Sequence, residues 1–300
     1  MPEKYALLIG CNYINVPGCR LYGCINDIEN MRDMLVANMS FKPENITMLR
    51  DDLTGDLVPT RSAIIRELMS IVQKSANAAE VWIHYSGHGS QVVDRNRDEI
   101  SGRDSCIVPV DFFNTGFIID DEILRIIRGI KCPAVILSDS CYSATVCDLP
   151  YSIEYLYGTT FRFSRNNNAA IPNPKIIMMS GCKDTQTSAD IYDGEHGEAE
   201  GAFTDAFLRA LKKNNYRASL AKVYVDTLTW LANNRFSQKP ILSSSTAMPS
   251  WTFGGVNVVS KSLGAQDGQN GQSWPRIAPE NRMCMGVLPA QGYNKMSMVL

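Results

Sequence analysis

The sequence predicts an α/β fold with a mostly parallel central β-sheet and helices on both faces of that sheet. Short apolar runs that suit buried strands alternate with longer amphipathic stretches that suit helices, which is the pattern of successive β-α-β units. Turn residues or polar loops follow the apolar runs. The 300 residues are enough for one large domain, or two smaller ones, with a substantial core.

The predicted elements follow one another along the chain. Strands are expected at Tyr5–Ile9, Ile46–Leu49, Val81–Tyr85, Cys106–Val110, Ala134–Leu137 and Ile176–Met179. Helices are expected in the segments DIENMRDMLVANM, AIIRELMSIVQK, DDEILRIIRGI, FTDAFLRALKK and LAKVYVDTLTWLANN. Asn and Thr side chains accept hydrogen bonds from the first turn of a helix, so we expect Asn26 and Thr60 to cap the first two helices.

A stretch with weak periodicity divides the chain into two unequal parts. It contains RFSRNNNAAIPNP, and its Asn, Pro and Ser content is typical of an exposed loop. We therefore expect a larger region over 1–155, a connecting loop over 156–175 and a smaller region over 176–300. The Gly- and Gln-rich sequence from Gly254 onward predicts an irregular tail.

Composition and charge exclude several functional classes. The formal net charge is −2, which gives no reason to expect nucleic acid or an anionic membrane as a partner. We expect no secretion signal and no membrane helix, because the sequence has neither a basic segment followed by a long apolar one nor an apolar run of the required length. The nine cysteines contain no CxxC pair and are expected to be reduced thiols.

Two loops after predicted strands contain residues with catalytic chemistry. Side chains that follow parallel strands gather at one edge of a sheet, where ligands bind. The strand ending at Tyr85 is followed by SGHGS, with His88 between two glycines, and the strand ending at Leu137 is followed by SDSCYS, with Cys141. His84 falls inside a strand and is expected to be a packed, hydrogen-bonded core residue, and His196 lies in a polar loop.

The pair formed by Cys141 and His88 has the chemistry of a thiol-dependent hydrolase. A cysteine must lose its proton to attack a carbonyl group, and a neighbouring imidazole assists that step and then protonates the leaving amine. The backbone N–H groups of Gly89 and Cys141 are candidates for stabilising the oxyanion. The glycines beside His88 leave room for a substrate to approach the main chain.

The chain resembles the type I-like metacaspases, relatives of the caspases. His88 and Cys141 are 53 positions apart, close to the roughly 50 positions that separate His and Cys in caspases. The resemblance covers nearly the whole chain, in the strings KYALLIGCNY, LYGCINDIENM, HYSGHGSQ, IVPVDF, IIDDEI, DSCYSATVCDLPY, SGCKDTQTSAD and KPILSSS. It implies a caspase-hemoglobinase fold and a cytoplasmic, monomeric cysteine endopeptidase, stimulated by Ca²⁺, that cleaves protein or peptide substrates after Arg or Lys.

The resemblance also implies a binding pocket for the substrate's P1 side chain, the residue just before the cleaved bond. Its lining would be Cys24, Asp27, Ser86 and Asp139. Two carboxylates in one pocket pair with a guanidinium or ammonium group and repel an acidic side chain. Asp27 also falls where a predicted helix begins, and there an acidic side chain interacts favourably with the helix dipole.

By the same resemblance, Ca²⁺ would be bound by four aspartates from three loops. They are Asp104, Asp120, Asp121 and Asp148. Calcium takes six to eight oxygen ligands, usually several carboxylates completed by carbonyls and waters. Asp148 follows Cys141 by seven residues, so calcium binding is expected to order the segment of the nucleophile. Asp120 and Asp121 are also typical acids of a helix start.

The sequence departs from the family pattern beside the nucleophile and in one acidic loop. The family usually has His and Gly where this chain has Tyr142 and Ala144, and an acid where this chain has Ser101. A homologue weakened in catalysis and retained as a scaffold or regulator is therefore an alternative. The sheet pattern alone also permits a nucleotide-binding protein or a serine hydrolase, but the sequence has neither GxxxxGK[ST] nor GxSxG.

Some members of the family mature by cutting the connection between their two regions after a basic residue. By residue type alone, the candidate positions here are Arg162, Arg165 and Lys175. The short connection equally suits a protein that is active as a single chain.

Overall fold

The computed structural model describes residues 2–94, 102–140, 147–181, 190–193, 198–255 and 276–277. Within these residues the strands are β1 Lys4–Gly10, β2 Ile46–Arg50, β3 Glu80–Ser86, β4 Gly89–Val93, β5 Arg103–Ile107, β6 Ile118–Ile119, β7 Ala134–Asp139, β8 Tyr151–Tyr157, β9 Thr160–Arg165, β10 Ile176–Ser180, β11 Asp190–Asp193, β12 Glu198–Gly201, β13 Ile241–Ser244 and β14 Arg276–Ile277. The helices are α1 Cys24–Met39, α2 Arg61–Lys74, α3 Phe112–Thr115, α4 Asp120–Ile127, α5 Ala202–Lys213 and α6 Leu220–Asn233.

A nine-stranded sheet forms the centre of the described structure, in the order β14-β9-β8-β13-β10-β7-β3-β1-β2. The five strands β2, β1, β3, β7 and β10 pair in parallel, and β13, β8 and β9 continue the sheet in antiparallel fashion. The prediction of a mostly parallel sheet is therefore confirmed. In the described residues no helix has the length and apolar character needed to cross a lipid bilayer.

Helices cover both faces of the sheet, as predicted. Successive residues of a strand point to opposite faces, so each central strand supplies two hydrophobic layers. One layer packs against α1, α5 and α6, and the other packs against α2 and α4. On β1, for example, Leu8 belongs to the first layer and Leu7 and Ile9 belong to the second. Parallel strands buried on both faces explain why the predicted strands are nearly continuous apolar runs.

Two predictions for the N-terminal region have different outcomes. Thr60 caps α2 as expected, because its side-chain oxygen accepts a hydrogen bond from the N–H of Ala63. Asn26 does not cap α1, because the helix already begins at Cys24. The cap comes from the start of the β1–α1 loop instead: the Asn12 side-chain oxygen accepts from the N–H groups of Cys24 and Ile25, at 3.0 and 3.4 Å.

The strand predicted at Cys106–Val110 begins and ends earlier in the chain than expected, and it is not part of the main sheet. The observed strand β5 ends at Ile107, and it pairs with β4 and β6 in a separate three-stranded antiparallel sheet. An apolar run indicates burial but does not reveal which sheet a strand joins. The small sheet follows directly from β3, since only Gly87 and His88 separate β3 from β4.

The prediction of a loop over 156–175 is wrong for most of its first half, which belongs to two strands. Strands β8 and β9 form an antiparallel hairpin that pairs with β13 and so extends the main sheet. Glu, Ser and Arg alternate with apolar residues there, as in YSIEYLY and TFRFSR, which is the pattern of strands with one exposed face. The residues from 166 to 175 lie outside helices and strands. The proposed boundaries at 155 and 175 stay predictions.

Candidate active site

His88 lies where the main sheet meets the small sheet, in the two-residue link between β3 and β4. Its side chain is partly buried. The backbone of His88 is held at both of its polar groups: its N–H donates to the Tyr13 hydroxyl at 3.0 Å, and its C=O accepts from the Tyr85 hydroxyl at 2.7 Å. The residue therefore sits on a fixed stretch of backbone at the carboxyl edge of the sheet.

The imidazole ring of His88 has a defined orientation. Its Nε2 atom lies 2.8 Å from the carbonyl oxygen of Cys19, and its ring centroid lies 4.6 Å from that of Tyr13. A carbonyl oxygen only accepts hydrogen bonds, so Nε2 carries a hydrogen and donates it. In a neutral imidazole this leaves Nδ1 as the basic nitrogen. The arrangement suits a general base whose unprotonated nitrogen is Nδ1.

Cys141 lies outside the described residues, as do Tyr142 and Ala144. The described chain ends one residue before it, at the buried Ser140, directly after β7. Strand β7 pairs in parallel with β3, with Asp139 opposite Ser86, and the N–H of Gly87 donates to the Asp139 carbonyl at 3.2 Å. The segment of the proposed nucleophile thus leaves the sheet at the same edge as His88.

Of the two oxyanion candidates, only Gly89 lies within the described residues. Gly89 is the first residue of β4, partly buried, and pairs with Ile107 of β5. The backbone N–H of Cys141 lies outside the described residues. Gly89 is therefore adjacent to the proposed base, and its oxyanion role stays a prediction.

Of the predicted P1 residues, Asp27, Ser86 and Asp139 come together in the structure. Cys24, Asp27, Ser86 and Asp139 are all buried, with 1% of Asp27 and 3% of Asp139 exposed. The Ser86 hydroxyl donates to Asp27 at 2.5 Å, which links α1 to the end of β3. Asp139 lies opposite Ser86 on the neighbouring strand, and both side chains face the α1 side of the sheet. Their role in binding substrate stays a prediction.

Two further residues contact this pair of carboxylates, and the sequence did not identify them. The N–H of Gly201 donates to Asp27 at 2.8 Å, and the N–H and hydroxyl of Thr204 both donate to Asp139 at 2.9 Å. A Cβ atom at Gly201 would lie 2.6 Å from an oxygen of Asp27 and closer still to one of Asp139. Only glycine fits between the two carboxylates, and the first turn of α5 holds Asp139 in place.

The four predicted calcium ligands lie in three segments, and the structure gathers them in part. Asp104 is on β5 and Asp120 and Asp121 begin α4, while Asp148 lies in the loop before β8 with a left-handed φ of 41°. The Asp120 carboxylate accepts from the N–H groups of Ser105 and Asp121, at 2.6 and 2.9 Å.

The effects of these acids on nearby thiols show which of them are neighbours. Burial raises the pKa of Cys106 to about 12, and the charges of Asp120 and Asp104 add to the rise. Burial also raises the pKa of Cys147, with Asp148 and Asp120 contributing. Asp120 is therefore close to members of both other segments. Within the described ranges, no three His, Cys, Asp or Glu side chains form a cluster able to hold a metal ion. The donor chemistry fits Ca²⁺, while the positions are incompletely gathered.

The remaining histidines and cysteines do not offer a second catalytic pair within the described residues. His84 is buried, and desolvation lowers its pKa to about 4, offset in part by the backbone of Leu137. Neither ring nitrogen makes a hydrogen bond of normal geometry, so the predicted hydrogen bonding of His84 is wrong. His196 lies outside the described residues. Burial raises the pKa of Cys11 and raises that of Cys132 to about 12, which makes both poor nucleophiles.

Comparisons with known proteins show what this chain is similar to. The family described as "Metacaspase, peptidase C14 domain" matches residues 4–150, which include His88 and position 141. Metacaspase-1 of Kluyveromyces lactis is 34% identical over 291 residues, which cover 81% of this chain and 66% of that protein. Metacaspase-1A of Aspergillus oryzae is 34% identical over 291 residues, covering 81% of this chain and 68% of that protein.

Solved structures add a likeness in fold. A crystal structure of a protein from Geobacter sulfurreducens superimposes with a TM-score of 0.55 at 22% identity, covering 85% of this chain and 95% of that chain. At this identity the likeness concerns the fold alone. The chain spans 62% to 66% of the length of four metacaspase-1 relatives, which is less than two thirds.

Proposed function

The chain belongs to the metacaspase family of C14 peptidases, and on this premise we propose that it is a cysteine endopeptidase, stimulated by Ca²⁺, that cleaves after Arg or Lys. The observation that carries the proposal is the hydrogen bonding and the position of the His88 ring. Its Nε2 is engaged by the Cys19 carbonyl, and it lies at the sheet edge where the Cys141 segment begins. A basic nitrogen beside a thiol is the minimum that nucleophilic catalysis by cysteine requires.

The proposed reaction proceeds through an acyl-enzyme. His88 Nδ1 takes the proton of the Cys141 thiol, and the thiolate sulfur attacks the scissile carbonyl carbon. The oxyanion that forms accepts hydrogen bonds from backbone N–H groups, for which Gly89 and Cys141 are the candidates. The imidazolium then gives its proton to the leaving amine as the C–N bond breaks. A water molecule, deprotonated by His88, hydrolyses the thioester and restores the thiol. The hydrogen bond from Nε2 to Cys19 stabilises the ring orientation in each step.

The preference for a basic P1 residue is supported by the two buried carboxylates beside the site. Asp27 and Asp139 share Gly201 as a neighbour and are taken out of water together. Two carboxylates in a low-dielectric site attract a cation strongly and disfavour a substrate with an acidic P1 side chain. Ser86 and Thr204 donate hydrogen bonds to them and maintain their positions. A bound guanidinium or ammonium group would complete the neutralisation of this pair.

The dependence on calcium is proposed for the acidic region around Asp120. Ca²⁺ would supply positive charge there, and Asp104, Asp120, Asp121 and Asp148 are the residues that would hold it. The support is that the Asp120 carboxylate accepts from the N–H of Ser105, the neighbour of Asp104, and that its charge contributes to the raised pKa of Cys147, the neighbour of Asp148. Asp148 follows Cys147 directly and Cys141 by seven residues. Drawing Asp148 toward Asp120 therefore constrains the segment that carries the nucleophile.

Peptidase assays with the complete chain test this proposal. Fluorogenic peptides that differ only in P1 (Arg, Lys or Asp) are hydrolysed in millimolar calcium and in excess chelator. We expect turnover with Arg and Lys, little with Asp, and a large loss in chelator. His88→Ala should lower kcat by roughly 10²–10⁴-fold, and Cys141→Ala should abolish turnover, since it removes the nucleophile. Cys132→Ala, at a buried cysteine of the core, is the matched control and should retain activity.

The same assay separates the pocket from the catalytic pair. Asp139→Asn removes one of the two charges, so we expect a higher KM for Arg and Lys substrates and weaker discrimination against Asp. Asp33→Asn makes the same change on the exposed side of α1 and should leave both parameters unchanged. Equal turnover by wild type and Cys141→Ala would refute the peptidase and favour the scaffold or regulator. Activity that is indifferent to chelator would refute only the role of calcium.

A further inference from the structure

Two tyrosine hydroxyls form a paired contact at the backbone of His88. The Tyr13 hydroxyl accepts from the His88 N–H at 3.0 Å and donates to the Val108 carbonyl at 2.6 Å. The Tyr85 hydroxyl donates to the His88 carbonyl at 2.7 Å and accepts from the Val108 N–H at 3.2 Å. Each hydroxyl therefore donates once and accepts once, which satisfies both phenols and all four backbone groups.

These contacts add one rung to the ladder of the small sheet. Gly89 pairs with Ile107 in the β4–β5 ladder, and His88 and Val108 are the next residues outward. The Val108 N–H also donates directly to the His88 carbonyl at 3.2 Å. The two hydroxyls lie 3.2 Å apart and bridge the other polar groups of the rung. Tyr85 on β3 and Tyr13 in the loop after β1 thereby fix the start of the small sheet at the proposed catalytic residue.

The surrounding residues are arranged to permit this contact. A Cβ atom at Gly87 would lie 2.6 Å from the Tyr85 hydroxyl and 3.2 Å from Cys11, so only glycine fits. Tyr13 has a left-handed φ of 53°, a conformation that costs a non-glycine residue on the order of 1–3 kcal/mol. The Asp51 carboxylate holds the residues on each side of Tyr13, since it accepts from the N–H groups of Asn12 and Ile14 at 2.8 Å.

We propose that Tyr13 and Tyr85 are positioning residues whose hydroxyl groups hold the His88 backbone so that the ring reaches the Cys19 carbonyl. The inference rests on the proposed function in one respect, the role of His88 as the base. Tyr13 contributes a second constraint, because its ring lies against the imidazole at 4.6 Å between centroids. A shift of about 1 Å at a catalytic group reduces the rate by up to about a hundredfold, so small changes in this rung matter.

The protonation state of the two phenols does not vary over the pH range of enzyme assays. Burial raises the pKa of Tyr13 and of Tyr85 well above that of free tyrosine. Both therefore stay protonated and able to donate, and the rung is a permanent part of the structure and not a switch.

Tyr13→Phe and Tyr85→Phe test the proposal, because each keeps the ring and removes one hydroxyl. The first readout is the NMR spectrum of the His88 ring nitrogens, assigned with His88→Gln, in the complete chain. We expect each variant to shift the His88 resonances and to reduce the share of the tautomer with hydrogen on Nε2. The second readout is kinetic: kcat should fall roughly ten- to a hundredfold with KM changed less than about twofold.

Tyr224→Phe is the matched control. Tyr224 is also buried and its hydroxyl also donates to a backbone carbonyl, that of Pro240 at 3.0 Å, but it lies on α6 in the hydrophobic layer on the other face of the sheet from Tyr13 and Tyr85. The Tyr224→Phe variant should lose about as much stability as Tyr13→Phe and Tyr85→Phe. Its His88 resonances and its kcat should stay as in wild type.

The two readouts separate this inference from the proposed function. Unchanged His88 resonances in both folded variants, or changes equal to those of Tyr224→Phe, would overturn the positioning role. If the wild type has no peptidase activity, the proposed function fails, and the NMR comparison still decides whether the hydroxyls orient His88. If Tyr13→Phe does not fold, Tyr85→Phe decides alone, since it removes the donor to the His88 carbonyl and leaves the strained residue intact.

Discussion

His84 and His88 lie four residues apart, yet their surroundings give them opposite properties. His84 is on β3 among the side chains of the layer under α1 and α5, where desolvation lowers its pKa to about 4. His88 lies beyond the strand end, partly exposed, with its Nε2 bonded to Cys19. The same side chain is thus a neutral core residue at one position and an oriented ring, the proposed base, at the other. The strand end makes this difference, because it brings the backbone from the core to the edge.

The depressed pKa of His84 predicts a dependence of stability on pH. In the folded protein His84 stays neutral down to about pH 4, whereas in the unfolded chain it is protonated below about pH 6.5. The unfolded state therefore binds more protons between these values, so stability falls as the pH decreases from about 6.5 to about 4. At pH 5 the loss due to His84 should be about 2 kcal/mol.

Urea unfolding of wild type and His84→Leu at pH 7, 6 and 5 measures this loss. Leucine has a similar volume and no unsatisfied nitrogen, so the variant should be at least as stable at pH 7 and should lose less stability on acidification. Parallel declines in the two proteins would show that His84 does not titrate as described.

Helix α1 shows how one element depends on the loop that precedes it. Asn12 lies after β1, and its side-chain oxygen accepts from the first two N–H groups of the helix. The helix thereby begins at Cys24 and presents Asp27 on its first turn, beside Ser86 of β3. The same loop carries Tyr13, which holds His88. One short segment therefore positions both the proposed base and part of the proposed P1 pocket.

Removing the cap that Asn12 provides should destabilise the protein. Asn12→Ala leaves two N–H groups of α1 without their acceptor, and loss of a side-chain cap costs about 1 kcal/mol, within a range of about 0.5–2. Asn38→Ala, the same change at an exposed position of α1, should leave the free energy of unfolding unchanged or slightly higher. Urea unfolding at pH 7 measures both. A cost in Asn38→Ala equal to that in Asn12→Ala would contradict the capping role.

At the scale of the whole molecule, the nine-stranded main sheet of the described residues takes strands from both predicted regions. Strand β7, which leads to Cys141, pairs with β10 of the C-terminal region, and β8 of the N-terminal region pairs with β13. Gly201 and Thr204 at the start of α5 donate to Asp27 and Asp139 of the N-terminal region. The two regions therefore share one main sheet, and β9 of the connection between them is part of that sheet.

This architecture predicts that the chain works without being cut at the suggested positions. Arg162 and Arg165 are in β9, and Arg162 pairs with Glu154 across the hairpin. The Lys175 carbonyl accepts from the N–H of Ala134. A protease cleaves extended, accessible chain, so the two arginines would first have to leave the sheet and Lys175 would first have to lose its backbone hydrogen bond to Ala134. The triple variant Arg162→Gln, Arg165→Gln, Lys175→Gln should match wild type in calcium-dependent turnover.

Mass spectrometry before and after calcium addition checks the same point. In wild type, we expect no fragments that end at these three residues. Loss of activity in the triple variant, together with loss of such fragments found in wild type, would show that processing there is required.

The sequence by itself determined the strands that are buried on both faces, the helices between them, and the placement of His88 and Cys141 after neighbouring strands. These features depend on local pattern, since an apolar run flanked by turn residues indicates a core strand whatever it pairs with. The hairpin of β8 and β9 and the small sheet of β4, β5 and β6 were missed or displaced. Strands with one exposed face and short strands have weak patterns, and pairing with distant segments stabilises them.

The tertiary structure alone decided which residues support the site. The contact of Tyr13 with His88 and the contacts of Gly201 and Thr204 with the carboxylates join residues far apart in the chain, up to 174 positions for Asp27 and Gly201. No local pattern marks such partners, because the donors are backbone N–H groups and common side chains. Their role arises only when the sheet brings them within hydrogen-bonding distance. In the buried interior the low dielectric then strengthens each hydrogen bond.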